Sequence, residues 1–157
     1  MTFHRKAARA RQAALLCVWA VSLWLIAACG HKTPVYPPEL VAPQAISDLR
    51  LTASDSAIEL RWNRPETYAD GRGMDDLGGF VVLRAAQPQD GRLGEFRRLA
   101  TIPVDDRDRF RQTQRFRFTD AQLHAGTRYQ YRIQAFTLDG DYSIPSNMVQ
   151  HVWQAGS

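Results

Sequence analysis

The chain has 157 residues, 20 Lys+Arg against 16 Asp+Glu, and an estimated pI near 9.4. At 45% apolar and 23% charged, with 10 Gly and 8 Pro, it is excluded from the coiled-coil, collagen-like, wholly disordered and polytopic membrane classes. The formal charge of +4 invites a nucleic-acid or anionic-surface partner, an inference that depends on where the charges lie.

The first predicted element is a targeting segment over residues 1–28. Arg5, Lys6, Arg9 and Arg11 precede an uncharged run from residue 13 to residue 28. A basic start, a short apolar core and a small-residue end are the pattern of a cleaved secretory signal peptide. A spanning helix needs about 20 apolar residues, more than this run supplies, so a transmembrane anchor is the weaker alternative. All of the positive excess sits here. The rest of the chain carries equal numbers of basic and acidic residues, 16 of each, so global charge gives no reason to expect nucleic acid.

Ile26-Ala27-Ala28-Cys29 closes the segment and resembles a bacterial lipobox. The resemblance implies a diacylglyceryl thioether on Cys29, which becomes the first mature residue. Several acyl chains contribute about 0.8 kcal/mol per buried methylene, enough for stable anchoring without a spanning helix. Gly30 stands where an Asp favours inner-membrane retention in that family, so the expected location is the periplasmic face of the outer membrane. Cys17 leaves with the signal and Cys29 carries lipid, so no thiol remains for a disulfide, a metal or catalysis. No cofactor is expected beyond the covalent lipid.

Residues 29–44 are predicted to form a proline-rich tether. Pro34, Pro37, Pro38 and Pro43 oppose helix and ladder formation and favour extended polyproline II. At about 3.1 Å per residue, such a segment reaches ~45 Å from a membrane when fully extended. Cys29, Gly30, Lys32, Pro34, Tyr36 and Pro38 match six of the eight specified positions in the pattern Cys-Gly-x-Lys-Gly-Pro-Leu-Tyr-x-Pro. This resembles the lipidated start of the small lipoproteins that assist assembly of the lipopolysaccharide-transport translocon, and implies that these tether residues bind an envelope protein. Thr33 replaces Gly and Val35 replaces Leu, and the match spans only ten residues. A plain spacer is the alternative role.

Residues 45–157 are predicted to be an all-β domain. Short alternating runs recur, with no apolar pattern at helical spacing. Strands are expected over residues 46–52, 57–62, 80–86, 96–102, 115–119, 128–136 and 147–153. In the second, Ile58, Leu60 and Trp62 share a face opposite Glu59 and Arg61. In the fifth, Phe116 and Phe118 share a face. In the sixth, Tyr129, Tyr131, Ile133 and Ala135 share one face and Arg128, Gln130, Arg132 and Gln134 the other. The alternation of the last strand does not settle which side is buried.

Seven short strands in about 100 residues fit an immunoglobulin-like sandwich. Several motifs make this specific: Trp62 with Pro65 after it, Leu123-His124-Ala125-Gly126-Thr127-Arg128-Tyr129, Gly79-Phe80-Val81-Val82, and Leu138-Asp139-Gly140-Asp141-Tyr142-Ser143. They resemble the fibronectin type III family, which implies folding roles for Trp62, Tyr129 and Gly140.

Catalytic chemistry finds little purchase. His31, His124 and His151 show no metal-ligand spacing, and no nucleophile elbow or phosphate-cradling glycine loop occurs. A non-enzyme without metal or small-molecule substrate is expected. Two loops stand out. Residues 63–79 are long for a sandwich connection, and Tyr68, Asp70, Arg72 and Met74 are its candidate partner contacts. Asp70, Asp75 and Asp76 lack calcium-loop spacing. Residues 105–114 mix charges of both signs, with Phe110 as an apolar anchor or a core residue. The expected function is non-catalytic binding of an envelope protein. The alternative, a carbohydrate- or peptidoglycan-binding module, needs a row of exposed aromatics, for which Tyr68, Tyr142 and Trp153 are candidates.

Overall fold

A computed structural model describes residues 37, 41–105 and 114–154. Its seven strands are β1 (Arg50–Ala53), β2 (Ile58–Asn63), β3 (Leu77–Gln87), β4 (Arg97–Pro103), β5 (Arg115–Asp120), β6 (Arg128–Thr137) and β7 (Val149–Val152). They form two antiparallel sheets, β1-β2-β5 and β4-β3-β6-β7. The expected sandwich is therefore present. The lipobox, the tether residues Cys29, Gly30, Lys32, Pro34, Tyr36 and Pro38, and Phe110 lie outside the described residues.

The inner faces meet where the alternation placed them. Ile58, Leu60 and Trp62 from β2 face Phe80 and Val82 from β3 and Tyr129, Tyr131, Ile133 and Ala135 from β6, all buried. Trp62 lies edge-on to Phe80 at 5.5 Å between ring centres and stacks on Phe116 at 6.2 Å. Just past the end of β7, buried Trp153 continues the row of Val149 and His151, which settles the facing that the sequence left open.

The first strand differs from expectation. It begins at Arg50, although Ile46 and Leu49 are buried. Asn147 explains this: its side-chain oxygen accepts from Leu49 N–H at 3.0 Å, and its amide nitrogen donates to Leu49 C=O at 3.0 Å. One side-chain amide satisfies both backbone groups, so Leu49 joins the core without a ladder partner.

The tether boundary also moves. Residues 42–44, assigned to the tether by composition, belong to the folded unit. Pro43 is buried and bridges to Tyr68; Gln44 N–H donates to Thr67 C=O and Ala69 N–H to Ala42 C=O, both at 2.9 Å. The ring nitrogen of Pro43 has no hydrogen to give, but the pairing uses only its neighbours, as at an edge strand.

Strand β3 starts at Leu77, three residues before the expected Phe80, and takes in Gly78 and Gly79. A Cβ on Gly79 would stand 2.4 Å from the backbone oxygen of Ile102 and 2.8 Å from the Phe136 ring. The strand passes too close to β4 for any side chain there. Gly79→Ala is expected to destabilise the domain by about 1–3 kcal/mol, the usual cost of overpacking. A thermal melt of Gly79→Ala beside Gly73→Ala, where a Cβ meets nothing within 4 Å, checks this. Equal melting temperatures would refute the close-approach argument.

Candidate functional site

The segment between β2 and β3 is a small ordered hairpin. Met74 N–H donates to Glu66 C=O at 3.0 Å and Tyr68 N–H to Arg72 C=O at 2.9 Å, with Thr67 bridged to Gly73. Gly71 turns the chain at φ 86°, a left-handed conformation that glycine adopts without strain. Residues 42–44 flank the outer side of this hairpin, so a third piece of chain completes it.

The four loop residues singled out from sequence have different fates. Asp70 and Arg72 are exposed and paired: Asp70 accepts from the Arg72 backbone N–H at 3.0 Å and from its guanidinium. These hydrogen bonds hold the Asp70 carboxyl below its ordinary range. Tyr68 is half-buried, with the Arg72 guanidinium 5.1 Å from its ring centre. Burial, then a hydrogen bond to Asp76, push its phenol above the ordinary range. Met74 is only 7% exposed and joins the core cluster. Met74 is thus corrected from a partner contact to a packing residue, because the hairpin turns that side of the ribbon inward. Arg64, at the hairpin's base, is likewise buried, and its guanidinium reaches the Met74 carbonyl at 3.5 Å.

A cleft of about 570 Å³ opens beside this ribbon. Residues 42–45 and Ala69 line one side; Gly140, Asp141, Tyr142 and Ile144 line the other. The second wall is shaped by the end of β6. Gly140, at φ 92°, turns the chain back, and Thr137 N–H donates to Asp141 C=O at 3.0 Å. The returning segment runs beside β6, with Ser143 N–H donating to Ala135 C=O and Ala135 N–H donating to the Ser143 hydroxyl. Ser146 does the same for Ile133. Serine hydroxyls here replace backbone carbonyls as acceptors. Because Ser143 and Ser146 are turned in, Ile144 is turned out.

The result is an apolar rim. Ile144 is 73% exposed and Tyr142 45%, with the Tyr142 ring supported against Phe136 at 5.6 Å. Sequence reasoning noted Tyr142 only as an aromatic and passed over Ile144, since alternation predicts nothing for a segment held by side-chain hydroxyls. The row of aromatics needed for a sugar platform does not form: Trp153 is buried and Tyr68 half-buried, leaving Tyr142 alone exposed. Among the described residues, no three of the His, Cys, Asp and Glu side chains gather as a metal site would require.

No family model and no curated protein matches this chain. Solved structures do. The twitchin kinase region from C. elegans (Fn31-NL-kin-CRD-Ig26) aligns with a TM-score of 0.54 at 16% identity, over 73% of this chain and 17% of that one. The third fibronectin III domain of the human KIAA0343 protein aligns with a TM-score of 0.51 at 12% identity, over 82% of this chain and 96% of that one. At such identities the likeness concerns the fold alone: a fibronectin type III-like sandwich.

Proposed function

We propose that this chain is a non-catalytic protein-interaction module, held by lipid on Cys29 at the periplasmic face of the outer membrane and engaging another envelope protein. A fibronectin type III-like fold suits such a module, because it presents loops at its ends on a rigid two-sheet frame. The observation that carries the reading is the cleft rimmed by Tyr142 and Ile144 at the point where the proline-rich segment enters the domain. Exposed apolar side chains gathered beside a concave surface mark interaction sites more often than scattered ones do. The tether's likeness to the translocon-assisting lipoproteins makes the lipopolysaccharide-transport machinery the partner class to test first.

The experiment has two arms in one strain. With labelled palmitate, the wild-type chain is expected to carry label and Cys29→Ala to carry none; label surviving the substitution would refute lipid attachment at Cys29. A photo-crosslinking residue at Ile144, and another at Tyr36, is expected to yield the same envelope-protein adduct. A control at Asp55, in the exposed β1–β2 turn, is expected to yield none. Adducts from Asp55 and not from Ile144 would place the interface elsewhere on the domain.

A further inference from the structure

Outward residues of the three-stranded sheet form rows across the strands. Arg50 of β1 lies directly opposite Arg61 of β2, and Arg61 directly opposite Arg117 of β5. Arg115 follows two residues before Arg117 on the same face, opposite Asn63. All four arginines are exposed. Strands stand about 4.8 Å apart, so three guanidinium groups originate along a line of ~10 Å.

Like charges placed directly opposite destabilise a sheet. The fold does little to relieve them. Arg61 is paired with Glu59 on its own strand. Arg50, Arg115 and Arg117 form no ion pair among the described residues. Asp48, the other acid lining the area, hydrogen-bonds Asn63. Among the described residues, four cations thus face two carboxylates, leaving an excess of two positive charges. The surface is concave: Asp48, Arg50, Thr52, Arg61, Asn63 and Arg115 are among the residues lining a cleft of about 510 Å³.

We infer that this cleft binds a phosphate-bearing ligand, a role separate from the apolar cleft at the hairpin. A guanidinium presents a planar fork of donors that matches phosphate oxygens in pairs. A phosphate monoester carries a charge of about −1.5 to −2, which matches the excess charge, and three acceptor oxygens for the guanidinium forks. A carboxylate offers one charge and two oxygens, a poorer match. Apart from Trp62 and Phe116, which belong to the inward-facing rows beneath it, the cleft has among the described residues no aromatic on which a base or sugar ring would stack. The ligand's recognised part is its phosphate. The phosphate belongs either to a lipid headgroup or to a soluble polyphosphate.

The test is calorimetric titration of the full chain with inorganic pyrophosphate at low salt, on wild type, Arg50→Gln/Arg117→Gln, and Arg97→Gln/Arg98→Gln on β4 as a control. Pyrophosphate affinity is expected to fall about tenfold or more in the first variant, the scale of lost charge-assisted hydrogen bonds, and to hold in the control. No binding by wild type, or an equal fall in both variants, would overturn the proposal. Co-sedimentation with phosphatidic-acid vesicles, against neutral phosphatidylcholine vesicles, distinguishes the sources. Arginine-dependent sedimentation identifies a headgroup, and pyrophosphate binding without sedimentation identifies a soluble phosphate. A glutamate-rich peptide that binds the same arginines more tightly than pyrophosphate would overturn the phosphate assignment. The melting temperature of Arg50→Gln/Arg117→Gln is expected to equal or exceed that of wild type, since like-charge neighbours are relieved. A clear drop would assign the arginines to holding the fold and overturn the proposal.

Discussion

Asp120→Ala is expected to cost about 3 kcal/mol or more of unfolding free energy, because it strips the partner from a partly buried cation. Arg84 lies on β3 opposite Tyr131 of β6, in a row that otherwise faces the core. Its guanidinium reaches across the sandwich to Asp120, at the end of β5, at 2.8 Å, and to Gln122 C=O at 3.1 Å. The same carboxylate oxygen accepts from the Tyr131 hydroxyl at 2.8 Å, and its other oxygen accepts from Gln122 N–H at 3.0 Å. The guanidinium also sits 5.2 Å from the centre of the Tyr129 ring, whose hydroxyl accepts from His124 N–H. One carboxylate, 3% exposed, therefore ties together both sheets and the corner before β6.

Removing it leaves the Arg84 cation without its counter-charge, held only by the Gln122 carbonyl, and a buried phenol without its acceptor, whereas Tyr131→Phe loses one hydrogen bond and should cost about 1 kcal/mol. Urea denaturation of the two variants decides the matter. A cost for Asp120→Ala no greater than that for Tyr131→Phe would show the carboxylate to be dispensable. The phenol also has a pH signature. Burial first, then Asp120, raise the Tyr131 phenol above its ordinary value of 10.0. A raised value in the folded state means stability is complete below pH 10 and falls as pH rises beyond it, where the unfolded phenol loses its proton first. Tyr131→Phe is expected to flatten that alkaline decline, with Tyr68 sustaining what remains of it.

Trp62→Ala is expected to cost about 3–5 kcal/mol, the range for deleting a large aromatic from a packed interior. Trp62 is 2% exposed, and Phe80 and Phe116, themselves 4.5 Å apart between ring centres, close around it. The cavity would lie between the sheets, where neither can collapse without breaking its ladder. Its indole N–H has no hydrogen-bond partner among the described residues, so Trp62→Phe loses volume and no bond seen there. That variant is expected to cost less than half as much. Chemical denaturation followed by circular dichroism measures both. Equal costs for the two substitutions would show that something other than cavity volume governs the site.

These two residues differ in how far the sequence exposes them. Trp62 is legible because Ile58, Leu60 and Trp62 alternate with Glu59 and Arg61, and period-two alternation is written within one strand. The same logic gave Tyr129, Tyr131, Ile133 and Ala135, and all seven strands to within a few residues. Arg84 is not legible. An arginine in an apolar run reads as outward, and its inward course is made tolerable by distant partners, above all Asp120, 36 residues away.

The candidate sites divide in the same way. That Arg61, Arg115 and Arg117 point outward follows from Trp62, Phe116 and Phe118 pointing inward. That Arg50, Arg61 and Arg117 stand in one row is a matter of register between strands up to 67 positions apart in sequence, which no local pattern records. Met74 and residues 42–44 show the converse: composition marked a loop and a tether, and pairing between them made both part of the fold. The exposed rim at Tyr142 and Ile144 arises from serine hydroxyls substituting for a ladder. By itself, the sequence determined which residues form strands and, in most of them, which side is apolar, because side-chain direction alternates with every residue of a strand. Tertiary structure alone decided which outward residues become neighbours and which loops become walls, because those outcomes depend on contacts between segments far apart in the chain, such as Leu49 with Asn147 at a separation of 98 residues.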